Sequence, residues 1–297
     1  MHGSSRQLTG QDNAAYAGQM RLTSLLLIIL TSASSSLANP SLERGAYLVR
    51  GPAGCGNCHS PFGPDGPVAG MELAGRLVED NTHFKAVAPN LTPAGPTANW
   101  SDADLARAVR EGLRPDGSLI GPPMPFAMYR QLADDDLTSI VLYLRSLPAV
   151  ENDPGPSSYN IPLPPAYGPP VEAVTAPPQG VSVEYGAYLA GPVAHCMECH
   201  SPFGPKGPML DADNLGKGGF EFFGPWGVSV ATNITSHRDG IGKYTDAELA
   251  SMITKGQRPG GVPMLPPMPY GYLANMTDDD LAAIILYLRS LPPLADN

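Results

Sequence analysis

The chain has 297 residues, which is long enough for about two domains. Hydrophobic residues make up 42% of it, which excludes a disordered chain, and its 33 glycines and 34 prolines predict many loops and few long helices. The formal net charge of −10 argues against nucleic acid and anionic membrane surfaces as partners, because both attract Lys and Arg.

Residues 1–38 have the pattern of an export signal. Arg21 precedes an apolar run at residues 22–30, and Ser36-Leu37-Ala38 supplies the small residues that a signal peptidase reads. The run is shorter than the ~20 residues of a membrane-spanning helix, and an uncleaved anchor is the alternative. Met20 is a second candidate start. We expect a mature chain that is exported to the bacterial periplasm and has no membrane span.

The remaining chain repeats itself. Glu-Arg-Gly-Ala-Tyr-Leu at residues 43–48 returns as Glu-Tyr-Gly-Ala-Tyr-Leu at 184–189, and an Asp-Asp-Asp-Leu…Leu-Tyr-Leu-Arg-Ser-Leu-Pro segment closes each copy. We therefore predict a first domain at 39–150, a proline-rich linker at 151–180 and a second domain at 181–297. Proline fixes φ, so the linker is expected to be extended and semi-rigid.

Each copy carries three predicted helices. They lie around residues 42–49, 101–109 and 134–146 in the first copy, and around 185–190, 245–253 and 278–290 in the second. Thr245 followed by a Glu three residues later predicts a capping box. Gly45 and Gly186 are expected to let the first helix of each copy approach Tyr143 or Tyr287 on the third. Because proline interrupts most β-like runs, we expect no sheet.

All four cysteines lie in two Cys-x-x-Cys-His motifs, which comprise Cys55, Cys58 and His59 in the first copy and Cys196, Cys199 and His200 in the second. Two thiols at this spacing reach the vinyl groups of one porphyrin, and the histidine that follows lies beneath the iron as a ligand. We therefore predict two covalently bound c-type haems. The alternatives are a thioredoxin-like dithiol, a disulfide within each motif and a shared zinc site. The dithiol lacks a βαβ context and leaves the histidines unexplained.

The predicted sixth iron ligands are Met124 and Met268. They form the only methionine pair in register after the motifs, and each lies in Pro-Pro-Met-Pro. A proline-stiffened loop presents a thioether with little loss of entropy. Asn-x-Thr also recurs, at 90–92 and 233–235, where it either binds haem carboxylates or holds a turn; we favour the turn.

On these motifs each half resembles a class I c-type cytochrome domain. The loops at 88–92 and 239–242 further resemble those of cytochrome c subunits of alcohol and gluconate-type dehydrogenases, which typically carry three haem motifs where this chain has two. The resemblance implies an all-α fold of two tandem domains, each with three to five short helices around a covalently attached haem. The iron ligands that it implies are His59 with Met124, and His200 with Met268.

A His/Met-ligated iron has no open position for a substrate, so the predicted function is one-electron transfer rather than catalysis. We expect an exported di-haem cytochrome c that accepts electrons from a periplasmic dehydrogenase and passes them to a downstream cytochrome or terminal oxidase. The alternative is a di-haem peroxidase-like oxidoreductase with one open haem. Pro-Pro-Met-Pro in both halves argues against it.

Overall fold

The computed structural model describes residues 39–64, 66–204 and 210–296, so the predicted export signal lies outside the described residues. The helices of this part of the chain are α1 (Leu42–Arg50), α2 (Gly56–His59), α3 (Asp102–Glu111), α4 (Phe126–Tyr129), α5 (Asp134–Ser146), α6 (Val183–Tyr188), α7 (Cys196–Cys199), α8 (Asp246–Lys255), α9 (Tyr270–Leu273) and α10 (Asp278–Ser290). A π-helical turn (Leu189–Val193) continues α6. Short 3-10 turns cover Ala212–Asn214 and Ile241–Lys243.

The six predicted helices are all present. The observed α5 and α10 have the predicted bounds, and each has an acidic first turn and an Arg in its last turn. The capping box of α8 is confirmed, with the Thr245 side chain accepting from the backbone N–H of Glu248 while the Glu248 carboxylate accepts from that of Thr245. Local capping chemistry therefore positions these helices.

The expectation of an all-α fold is wrong. The described residues form three small antiparallel sheets. In the first, β1 (Phe62–Gly63) pairs with β2 (Gly66–Pro67), and in the third, β6 (Glu221–Gly224) pairs with β7 (Gly227–Val230). In the second, β4 (Phe84–Ala88) lies between β3 (Arg76–Asp80) and β5 (Ser158–Tyr159) and pairs with both. The β3–β4 hairpin forms in a proline-free stretch, and the Asn81 side chain closes its turn by accepting from the backbone N–H groups of His83 and Phe84. The proline argument did not apply to this stretch.

The helices pack as two equivalent crossings, α1 on α5 and α6 on α10. A Cβ placed on Gly45 would lie 1.9 Å from the carbonyl oxygen of Ser139 and 2.8 Å from the Cβ of Tyr143. A Cβ on Gly186 would lie 1.9 Å from the carbonyl oxygen of Ala283 and 2.9 Å from the Cβ of Tyr287. The predicted close approach is confirmed at both glycines, because only a residue without a Cβ fits there.

The expectation of two tandem domains is also overturned, because the described residues form one compact unit. One hydrophobic cluster contains Leu48 and Ile140 from the first half together with Leu189 and Ile284 from the second. The physical reason is that α4 packs against the π-helical turn that follows α6, which merges the apolar faces of the two halves.

Two hydrogen bonds at equivalent positions cross between the halves, and we call them the junction bonds. The Tyr47 hydroxyl donates to Asp280 Oδ2 at 2.6 Å, and the Tyr188 hydroxyl donates to Asp136 Oδ2 at 2.7 Å. Both carboxylates are buried. Arg44 also pairs with Asp136 through two N–H groups, at 2.8 and 2.9 Å. The buried charge is thus hydrogen-bonded on several sides, as burial requires.

The proline-rich segment 151–180 lies over the first half. Its strand β5 pairs with β4, and the Tyr159 hydroxyl donates to the carbonyl of Pro122 at 2.9 Å. The Tyr167 ring stacks on Phe126 at 4.8 Å between ring centroids. The segment therefore covers the β3–β4 hairpin and the loop that carries the first candidate methionine.

Candidate haem attachment sites

The two Cys-x-x-Cys-His motifs adopt the same one-turn conformation, in α2 and in α7. The His59 amide donates to the carbonyl of Cys55 at 2.9 Å, and the His200 amide donates to that of Cys196 at 3.0 Å. In each motif the turn brings the two cysteines and the histidine to one side of a short helix. All six side chains are partly buried, and the four thiols are free.

Each motif histidine is oriented by a backbone carbonyl. His59 Nδ1 lies 3.0 Å from the carbonyl oxygen of Pro89, and His200 Nδ1 lies 2.7 Å from that of Thr232. Because a carbonyl only accepts, Nδ1 carries the proton and Nε2 keeps its lone pair for a metal. Burial lowers the pKa of both imidazoles, which keeps them neutral. Any residue supplies a carbonyl, so sequence reasoning had no signal for these two partners.

The thiols are poor nucleophiles in this environment. Burial raises the pKa of Cys55 to about 12, that of Cys196 to about 11 and that of Cys199 to about 12. A redox dithiol requires a lowered thiol pKa, so the thioredoxin-like alternative does not fit. Nor does the shared zinc site, since no three His, Cys, Asp or Glu side chains within the described ranges are placed to hold one metal ion.

The loops that carry Met124 and Met268 have matching backbones. The peptide bonds Pro122–Pro123 and Pro266–Pro267 are both cis. After each methionine the chain turns into a short helix, and the carbonyls of Met124 and Met268 each accept a backbone N–H at 2.9 Å. Both methionines are partly buried. Their ligation of iron remains a prediction.

The two motifs are neighbours at the junction between the halves. The Tyr129 ring in α4 meets the ring of His195, which precedes the second motif, edge-on at 5.9 Å. From the second half, Tyr272 in α9 contacts the first motif. Its hydroxyl oxygen would lie 2.5 Å from a Cβ placed on Gly56. The Cys58 thiol is near enough to Cys199 to contribute to its raised pKa.

The first motif has a cation beside it that fits the carboxylate of a haem. Arg76 Nη2 donates to the carbonyl of Asn57 at 2.8 Å, and its guanidinium lies 5.0 Å from the centroid of the Phe62 ring. Its buried Nε has no hydrogen-bond partner within the described chain. A buried donor of this kind calls for an acceptor. With the free thiols and the oriented imidazole, this donor makes the residues suitable for a covalently held haem.

The Asn-x-Thr segments hold turns, as predicted. Asn90 is buried, and its Oδ1 accepts from the backbone N–H and the hydroxyl of Thr92 at 2.9 and 2.7 Å. Its Nδ2 donates to the carbonyl of Val150 at 2.7 Å. Asn233 makes the same bonds with Thr235 and with the carbonyl of Leu294. These turns tie the chain after Pro89 and after Thr232 to the segments beyond α5 and α10.

Comparison with known proteins finds a similarity to cytochromes c. Residues 183–292 match the family described as cytochrome c. The chain is 28% identical over 283 residues to the fructose dehydrogenase cytochrome subunit of Gluconobacter japonicus, which covers 89% of this chain and 55% of that protein. It is 27% identical over 296 residues to the gluconate 2-dehydrogenase cytochrome c subunit of Pantoea cypripedii, with 90% and 64% covered.

A third relative is the cytochrome c subunit of the alcohol dehydrogenase (quinone) of Gluconobacter oxydans (strain 621H), 25% identical over 277 residues, with 86% of this chain and 55% of that protein covered. The chain thus spans about half to two thirds of the length of these relatives. Within the described residues, no helix has both the length and the apolar character needed to cross a membrane.

Proposed function

We propose that this chain is an exported di-haem cytochrome c that carries single electrons from a periplasmic dehydrogenase to a downstream cytochrome or terminal oxidase. The proposal includes a duplicated organisation, in which residues 39–150 and 181–297 each attach one haem and residues 151–180 connect them. It includes no catalytic residue of the chain itself.

The observation that carries the proposal is the motif histidine with its carbonyl partner, present twice. His59 and His200 each keep a neutral imidazole with Nε2 free, next to two protonated, unpaired thiols. Those thiols would hold a haem covalently, and a thioether from Met124 or Met268 would complete each ligand set. A bound haem of this type supplies a reversible one-electron couple.

The chain's own residues hold the imidazole rings rigidly and place a charge near one motif. The carbonyls of Pro89 and Thr232 fix the imidazole planes, which limits rearrangement when the charge at the iron changes. The Arg76 guanidinium offers a positive charge near the first motif, and the second motif has Gly219 at the equivalent position. We therefore expect the two sites to have different reduction potentials.

The relatives support a dehydrogenase as the electron donor, since those named above are cytochrome subunits of fructose, gluconate and alcohol dehydrogenases. The export pattern at residues 1–38 supports a periplasmic location. The acidic surface suits a partner with a basic face, and we expect salt to weaken that association.

Absorption spectroscopy of the purified protein tests the proposal. We expect two haems per chain by the pyridine haemochrome assay, no CO binding, and a weak far-red ferric band of Met–iron ligation. Met124→Ala and Met268→Ala should each remove about half of that band, and Met128→Ala is the matched control. A high-spin haem that binds CO and turns over peroxide in the unmutated protein would contradict the proposal and favour the peroxidase-like alternative.

A further inference from the structure

The outer edge of the hairpin is covered by strand β5 in the first half, but the equivalent edge of the second half is exposed. In the first half, β5 pairs with the outer edge of β4, through Ser158 opposite Lys85 and Tyr159 opposite Phe84. The Ser157 hydroxyl also accepts from the backbone N–H of Val87 at 2.9 Å. Val87 is consequently 8% exposed.

The equivalent hairpin of the second half has no such cover within the described chain. The segments Ala88-Pro89-Asn90 and Ala231-Thr232-Asn233 correspond, so Val230 is the counterpart of Val87. Strand β7 pairs with β6 alone among the described strands, and Val230 is 51% exposed. Phe223, which pairs with Val228 across the hairpin, is 74% exposed.

By correspondence with the first half, we expect the bare surface to reach the second methionine loop. In the first half, Tyr159 joins the two regions, because its ring contacts Phe84 and its hydroxyl reaches the carbonyl of Pro122. The matching loop of the second half carries exposed Val262 and Leu265 instead. We call the surface formed by Phe223, Val228, Val230, Val262 and Leu265 the open face.

The outer edge of β7 has the backbone groups that a further strand needs. Ala231 bonds inward, since its N–H donates to the carbonyl of Phe220 at 2.8 Å and its carbonyl accepts from Gly219. Groups alternate along an antiparallel strand, so the N–H groups of Val230 and Val228 point outward. An exposed apolar edge of this kind is a template for pairing with another chain.

We propose that the open face binds an extended segment of the dehydrogenase partner subunit, which adds a strand to β7 as β5 adds one to β4. The proposal rests on the proposed electron-transfer function. The bound segment must differ from β5 at one position. In the first half the Tyr159 ring packs over Gly121, whose Cβ position lies 2.4 Å from it. The second half has Leu265 in place of this glycine. The partner residue over Leu265 must therefore be smaller than tyrosine. Docking here places the donor beside the Met268 loop.

Reduction kinetics of the full chain test this surface. Washed membranes of the host, supplied with fructose, gluconate or ethanol, would reduce the haems of the purified protein in a stopped-flow spectrometer. Val230→Pro removes one outward N–H and leaves the bonds to β6 intact. We expect it to slow reduction at least tenfold. Leu142→Ala changes an exposed apolar residue outside the open face, so it should leave the rate unchanged.

Full reduction by dithionite shows that each variant is folded and loaded with haem. A wild-type protein that accepts no electrons with any of the three substrates would overturn the proposed function and this surface with it. A normal wild-type rate that Val230→Pro leaves unchanged would overturn the surface alone. A photo-crosslinker at position 230 should reach the dehydrogenase, while one at the exposed Leu142 should not. A cross-link from 230 to a second copy, or to another part of this chain, would also overturn it.

Discussion

Replacing Gly45 with Ala tests whether the α1–α5 crossing depends on the missing side chain. The new Cβ would lie 1.9 Å from the carbonyl oxygen of Ser139, so the helices would have to separate by about 1.5 Å to reach an ordinary contact near 3.4 Å. The obstacle is backbone, which cannot swing aside. Overpacking costs about 1–3 kcal/mol and occasionally more, against a gain of about 1 kcal/mol in helix propensity. Because the contact is with backbone, we take the upper end of that range and expect a net loss of about 2 kcal/mol.

Urea unfolding followed by far-ultraviolet circular dichroism measures this loss. Gly186→Ala should cost a similar amount, because its Cβ would lie 1.9 Å from the carbonyl oxygen of Ala283. Gly271→Ala is the matched control, since Gly271 is also helical and nothing lies within 4 Å of its Cβ position. That variant should keep or gain stability. The reasoning is refuted if Gly45→Ala unfolds at the same urea concentration as the wild type, or if Gly271→Ala is equally damaging.

Three further results are expected. Tyr188→Phe leaves an oxygen of buried Asp136 without its junction donor, and should lower the free energy of unfolding by about 1–3 kcal/mol in urea. Burial raises the pKa of the Asp280 carboxyl above its ordinary 3.8. The carboxyl therefore binds its proton more tightly in the folded state than in the unfolded state, and its ionisation as pH rises destabilises the folded state. Asp280→Asn should therefore gain stability relative to the wild type between about pH 4 and pH 7; a constant difference would contradict this. Because one core spans both halves, fluorescence changes at Trp100 and Trp226 should share one unfolding transition, whereas two midpoints would indicate independent halves.

The sequence predicted most of the helical frame because helix signals are local. An acidic first turn, a 3.6-residue apolar pattern and a closing Pro define α5 and α10 within a few residues. The glycine contacts followed from the pairing of Gly45 with Tyr143 across the repeat. By contrast, no local pattern indicates that Arg145, in the last turn of α5, binds the carbonyl of Thr97 at 3.1 Å and Asp102 at 2.9 Å. That role depends on tertiary contacts.

The errors arose where distant segments meet. The hairpin β3–β4 is held partly by β5, some 70 residues later, and no local pattern reveals such a pairing. The merged core is accompanied by the junction bonds, and a tyrosine in a helix does not reveal which carboxylate it will reach. Alignment of the two repeats identifies Tyr47 and Tyr188 as equivalent, but it does not show that each of them forms a hydrogen bond to the opposite half.

The junction bears on the electron transfer that we propose for this chain. Two domains on a flexible linker would vary the separation of their redox centres, and the transfer rate would vary with it. Here Tyr47 and Tyr188 each bond to a buried carboxylate of the other half, so two equivalent contacts fix one relative placement. At that junction the Tyr129 ring of the first half meets the ring of His195, next to the second motif, at 5.9 Å between centroids. The packing that merges the two halves therefore holds the two motifs in one relative placement, as the proposed di-haem electron transfer would require.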